Sequence, residues 1–202
     1  VRAHVRAKEL GVKLVIGAQL SVSVLPIEEG SVNGVPLDVV VLARDRAGYV
    51  GICQLISRGR QRSEKGSSLI TLRELCQLRG GVFVLCRHPS LLASLKLNHG
   101  RSLYALCVRH RRSEERAGER ALRRRASELG VPVVASIEVL YHDAERRPLQ
   151  DVLSCIRHGC SLADAGQRIR PNAEHGLLSR GAMCRLFEDD PAGLSNSVHI
   201  VD

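Results

Sequence analysis

Aromatic side chains are nearly missing from this sequence: three tyrosines, two phenylalanines and no tryptophan, 2% of 202 residues. Little planar surface is left for stacking unpaired bases, which argues against a dedicated single-strand binder. The core must instead come from leucine, valine, isoleucine and alanine. No apolar run is long enough to span a bilayer and no signal peptide is seen, so no membrane partner is expected and the reading is cytoplasmic. There is no Cys-x-x-Cys pair, and the seven cysteines are an odd, irregularly spaced set. They read as buried thiols in a reducing compartment rather than a disulfide framework. Methionine occurs once, at Met183, and the chain opens on Val1 inside an apparent helix with no capping residue before it. The expectation is that something upstream is missing.

The common signatures of chemistry are also lacking. No His-x-His, His-Glu-x-x-His or Gly-x-Ser-x-Gly occurs, which removes the simplest zinc-hydrolase and nucleophile-elbow readings. No Gly-Lys-Ser/Thr stands in the frame of a Walker loop. No pair of aspartates two apart marks a strand end, as a two-metal polymerase site would need. Cys155, His158 and Cys160 suggest zinc, but no second ligand pair completes a structural site.

What is present is a 44% hydrophobic chain with net charge +9, its basic excess mostly arginine. That length supports one domain with a sizeable core, or one domain and a small appendage. The charge draws polyanions, nucleic acid first among them. Hydrophobic periodicity predicts a helix over 1–10, a buried strand over 12–20 continuing to 25, a loop over 26–34 and a strand over 37–43 paired with the first as a hairpin. Asp45 caps a helix over 47–57. Thr71, with Glu74 in a capping box, starts a helix to 78. Strands at 81–86, 103–108 and 131–135 then alternate with helices at 89–97, 113–129 and 148–157, Ser113 capping the second of these. This order implies a parallel sheet with crossover helices and strands covered on both faces. Two short helices, 181–186 and 191–198, lie outside the repeat.

Two basic segments stand out. The helix over 113–129 carries Arg116, Arg120, Arg123, Arg124 and Arg125, with Arg109, Arg111 and Arg112 before it. Glu119 and Glu128 lie one turn from Arg123 and Arg124, so ion pairs should neutralise part of it, which favours a solvated outer helix over a stripe of Ala117, Ala121, Leu122, Ala126 and Leu129 above the alternative of a DNA-contacting helix. Arg58, Arg60, Arg62 and Lys65 sit beside glycines, a composition that suits nucleic-acid phosphate contact and a plain solvated loop equally. From these residues alone the reading is a basic α/β domain.

Several segments carry a resemblance. Residues 1–20 and 43–60 resemble the polymerase-and-histidinol-phosphatase (PHP) domain of bacterial C-family DNA polymerases. Val139-Leu-Tyr-His142, Glu145-Arg-Arg-Pro-Leu-Gln-Asp-Val-Leu-Ser-Cys-Ile-Arg-His-Gly159, Asn172-Ala-Glu-His175 and Met183-Cys-Arg-Leu-Phe187 are similar to its error-prone branch. The resemblance runs along the whole chain in order. It implies an α/β fold, a partial PHP-type distorted β/α barrel over 1–160 that begins after the first strands, with a helical connection over 161–202 towards a polymerase core. It implies metal-ligand slots that are degenerate here: Gln19 stands for a glutamate, Glu138 and Leu140 fill an Asp-x-His slot, and His110 and His142 are weak remaining donors. An amide holds a hard cation poorly and an alkyl chain not at all. The piece itself is thus expected to be non-catalytic and without a cofactor. For the parent it implies DNA-directed nucleotidyl transfer in repair and damage-induced mutagenesis, with magnesium in the palm and with DNA, a sliding clamp and mutagenesis accessory proteins as partners. The alternatives are a stand-alone PHP-type metal-dependent phosphoesterase and a basic, non-catalytic DNA-binding module.

Overall fold

The computed structural model describes residues 2–24, 35–78 and 80–201; the loop expected at 26–34 lies outside them. The fold is α/β, as the element order implied. A six-stranded sheet in the order β3-β1-β2-β4-β5-β6 is built from β1 (Gly17–Ser23), β2 (Leu37–Ala43), β3 (Leu69–Thr71), β4 (Val82–Cys86), β5 (Leu103–Val108) and β6 (Val133–Ser136). β2 runs antiparallel to both β1 and β4, while β1/β3, β4/β5 and β5/β6 are parallel pairs. The expected hairpin and the expected parallel crossovers therefore share one mixed sheet.

The strands alternate as pleated strands must. Leu20, Val22, Val39, Val41, Val84, Cys86, Leu103, Ala105 and Cys107 face the main core. Against that face pack α2 (Arg46–Gln61), α3 (Leu72–Gln77), α4 (Leu92–His99) and α5 (Glu115–Glu128), through residues such as Ile52, Leu75, Leu95 and Leu122. The opposite face buries Leu85, Tyr104, Leu106 and Val134 beneath Ile200 of α8 (Pro191–Val201). Towards β1 that second face turns polar: Gln19 is exposed and Ser21 sits opposite Asp38. Coverage on both faces thus holds for β5 but not for β1 and β2.

Local capping chemistry sets several boundaries. Asp45 accepts the Gly48 N–H at 2.8 Å and starts α2. Thr71 and Glu74 form the reciprocal box that opens α3. α2 runs a turn past the expected end. Its Gly59 lacks the Cβ that would meet Ser68 Oγ at 2.6 Å and Leu69 O at 3.1 Å, so this glycine admits β3 against the helix instead of ending it. The strand expected from residue 12 starts at Gly17. Gly17 pairs with Leu42, and one residue past Ala43 the partner chain turns into α2. Ile16 still accepts the Ala43 N–H at 2.7 Å, but there β2 ends, and Val12, Leu14 and Ile16 are exposed. α1 (Arg2–Glu9) has no buried residue.

The C-terminal segment packs on the sheet. Phe187, just after α7 (Arg180–Leu186), is fully buried in the main core with Met183, Leu186 and Leu194 around it. Asn196 of α8 donates to Val133 O at 2.7 Å on the edge strand β6. α6 (Arg147–His158), closed by left-handed Gly159, buries only Cys155.

Candidate functional site

β5 and β6 end side by side, with Val108 opposite Ser136. The carboxyl ends of parallel strands are where α/β folds place their ligands, because loops from neighbouring strands converge there. The chain leaves β5 through Arg109, His110 and Arg111. Arg111 has φ 56, a left-handed conformation that costs a side-chain-bearing residue about 1–2 kcal/mol. One carboxylate holds this bend. Glu115 accepts the His110 N–H at 2.8 Å and the Arg112 N–H at 3.4 Å, and its other oxygen lies 3.0 Å from His110 Nδ1. Burial raises the Glu115 carboxyl, but these donors outweigh it and hold the group below its ordinary 4.5. Glu115 thus does the work expected of Ser113, whose side chain makes no cap; Glu114 occupies the cap position without a side-chain bond.

The His110 ring is used on both sides. Nε2 accepts the backbone N–H of Glu138 at 3.1 Å. An accepting ring nitrogen carries no hydrogen, so the hydrogen sits on Nδ1 and is donated to Glu115. His175 stacks on this ring, centroids 3.9 Å apart and planes 17° apart. His175 arrives because its carbonyl accepts the Leu140 N–H at 2.9 Å, Leu177 N–H bonds Tyr141 O at 3.0 Å, and Asn172 donates to His110 O at 2.7 Å. Residues 172–177 therefore lie along the segment that continues β6. Burial, then the neighbouring His110, push the His175 imidazole below its ordinary value.

His110, Glu138 and His175 place ligand atoms within 4.8 Å of one another. The resemblance implies a metal here, but the donors as they stand do not fit one. The His110 Nε2 lone pair is taken by an amide, and Glu138 Oε1 is bonded to Arg170 at 2.8 Å. His175 Nδ1, 3.2 Å from Glu138 Oε2, makes no hydrogen bond. A metal site needs three or four converging free lone pairs; with both His110 nitrogens bonded, only Glu138 Oε2 and His175 Nδ1 are left. Leu140 contributes only its backbone. His142 is exposed and outside the cluster. Gln19 is bonded to Asp38 at 2.8 Å; three strand spacings separate β1 from β5, about 14 Å.

No protein-family model matches the chain. Curated relatives do. An error-prone DNA polymerase of Anaeromyxobacter sp. (strain K) is 36% identical over 215 aligned positions, covering all of this chain and 18% of the relative. That of Brucella abortus biovar 1 is 35% identical, covering all of the chain and 19% of the relative. That of Bradyrhizobium diazoefficiens is 32% identical over 94% of the chain and 17% of the relative. The chain is homologous to one region of error-prone DNA polymerases. It spans less than a fifth of their length.

A second polar network lies beside the histidines. Arg109 bonds both carboxylate oxygens of Glu119, at 3.0 and 2.7 Å, and both of Asp189, at 2.6 and 2.8 Å. Its guanidinium also covers the Phe187 ring at 4.5 Å. Hydrogen bonding to Arg109 draws the Asp189 carboxyl down to about 2. Glu119 also binds Arg123, which reaches Asp190 at 2.8 Å. The sequence pointed to Glu128 pairing with Arg124; it pairs with Arg125.

The basic segment read from sequence divides. Arg58 and Arg60 are exposed on the last turns of α2, and Lys65 is exposed in the following loop. Arg62 is tied to Glu74 at 2.9 Å. Cys86, Cys107 and Cys155 are buried, whereas Cys53 and Cys184 are exposed. Burial pushes the Cys86 and Cys107 thiols up to about 11, which leaves them poor nucleophiles. His158 is exposed and joins no metal cluster among the described residues. Among the same residues no helix is long and apolar enough to cross a membrane. His175 escaped attention as a site residue because it lies far from His110 in sequence; Asn172-Ala-Glu-His175 in the resemblance was the signal available.

Proposed function

We propose that the chain is a non-catalytic, PHP-type structural region of a cytoplasmic error-prone DNA polymerase. The whole enzyme would add nucleotides to DNA primers across lesions, with magnesium in a palm outside this chain and with a sliding clamp and mutagenesis accessory proteins as partners. The observation that carries this reading is similarity to error-prone DNA polymerases along the whole chain. The closed hydrogen bonding around His110 supports the non-catalytic part, since a ring with both nitrogens bonded cannot bind a metal without first breaking a bond.

The convergence of His110, Glu138 and His175 favours one rival, a metal-dependent phosphoesterase. The two readings separate in one experiment. The polypeptide carrying this region is purified and given a primed template with an abasic site and magnesium, and separately a chromogenic phosphate ester with manganese or zinc. Primer extension that Glu138→Gln changes by less than about twofold, with no ester hydrolysis, is the expected result. Absent extension, or ester hydrolysis abolished by Glu138→Gln, would overturn it.

A further inference from the structure

The ion pairs sort the arginines of α5 and its approach into two sets. Arg109, Arg111, Arg112, Arg123 and Arg125 each face a carboxylate of this chain, on Glu119, Glu174, Glu114, Asp190 or Glu128. Arg116, Arg120 and Arg124 are exposed and pair with no acid among the described residues. Their spacing of four places them in one row along the outside of the helix, about 6 Å apart and about 12 Å end to end. We propose that this row is a docking surface for the phosphate backbone of duplex DNA. The proposal deepens the polymerase reading and rests on it for the choice of DNA.

Three observations favour a polyanion over a protein partner. The side chains flanking the row on its solvent side are small, Ala117 exposed and Ala121 half-buried, so the helix surface there is open to close approach. Protein interfaces centre on aromatic or large apolar anchors, and this face has none. The acids one turn from the row are occupied, Glu119 by Arg109 and Arg123 and Glu128 by Arg125 at 2.9 Å. Beyond Arg124 a cleft of about 270 Å³ opens between the helix and Pro89-Ser90, where the exposed Ser90 hydroxyl can donate to a phosphate oxygen. A duplex presents one negative charge per about 1.7 Å of axis, so a row of this length meets several phosphates at once. Guanidinium groups recognise phosphate oxygens in pairs, which suits arginine better than lysine here.

The test measures binding of the full chain to a fluorescent 20-base-pair duplex from 50 to 200 mM KCl. In the variant Arg116→Ala/Arg120→Ala/Arg124→Ala, affinity should fall at least tenfold at 100 mM. The slope of log affinity against log salt should flatten by about 2.7, each phosphate contact contributing about 0.9. The comparison variant Arg146→Ala/Arg157→Ala/Arg180→Ala, three exposed arginines on other elements, should change affinity by less than about twofold. Unchanged binding in the α5 variant, a loss confined to the comparison variant, or poly-glutamate competing as well as DNA would overturn the proposal. An α5-dependent, salt-sensitive affinity, found while the polypeptide carrying this region extends no primer, supports the row and sinks only the polymerase reading. Normal extension with no effect of the α5 variant on DNA affinity sinks only the row.

Discussion

Glu115 is the residue on which the β5 exit turns. It gathers two backbone N–H groups and the His110 ring around a left-handed Arg111. Replacing it by glutamine keeps the shape, but the amide offers only one acceptor oxygen and presents N–H groups to the other donors. Glu115→Gln should destabilise the chain by about 1–3 kcal/mol, read as a lower urea midpoint with an unchanged slope. The same carboxylate makes a pH prediction. Glu115, Glu119 and Glu74 are held below an ordinary value of 4.5, and Asp189 falls from 3.8 to about 2. A carboxyl depressed in the folded state stabilises the fold above its unfolded value. That contribution is lost as pH falls through the folded one, because the unfolded chain binds the proton first. Stability should therefore drop from about pH 4.5 downwards, and less steeply in Glu115→Gln. Equal slopes in both proteins would show that Glu115 is not among the groups responsible. That Glu115 and not Ser113 ties this turn was hidden in the sequence. Both residues satisfy a helix-start pattern, and the choice depends on where His110 and Arg112 direct their amides.

At the level of elements, the caps formed by Asp45 and by Thr71 with Glu74 were legible because donor and acceptor lie three residues apart. The start of β1 was not, since it depends on where β2 ends, more than twenty residues away. His175 was illegible as a neighbour of His110 for the same reason: the pairing of residues 175–177 with 140–141 has no local turn motif. The α2–β4 junction makes a sharper prediction. Gly48 sits in the first turn of α2 against the backbone of Gly81, and a Cβ there would fall 1.7 Å from Gly81 O. The same carbonyl accepts the Arg44 N–H at 2.8 Å, so it cannot move without losing a sheet-end bond. Gly48→Ala should cost about 1–3 kcal/mol from overpacking, even though alanine favours helix. A raised melting temperature in that variant would mean that helix propensity outweighs the clash and that the junction is looser than this geometry.

For the whole molecule, the Arg109 network and Phe187 join the C-terminal helices to the sheet, yet among the described residues apolar surface stays uncovered in two runs. One is the approach to β1, where Val12 is 60% exposed beside Leu14 and Ile16. The other is α6, whose Leu149, Val152, Leu153 and Ile156 repeat at helical spacing on one exposed face, Ile156 at 71%. The strong amphipathic pattern of α6 was readable in the sequence, but the pattern cannot say whether the apolar face meets this chain or another surface. Exposed apolar faces of this kind drive association, and each buried side chain can contribute about 1.5–3 kcal/mol. The isolated chain should therefore self-associate in a concentration-dependent way, measured by sedimentation velocity from low to high micromolar protein. Leu153→Gln with Ile156→Gln should shift the distribution towards monomer while leaving the melting temperature nearly unchanged, since neither side chain is buried here. A monodisperse monomer of the parent chain across that range would refute the argument. Association that survives the double substitution would move the responsible surface from α6 to the residues ahead of β1.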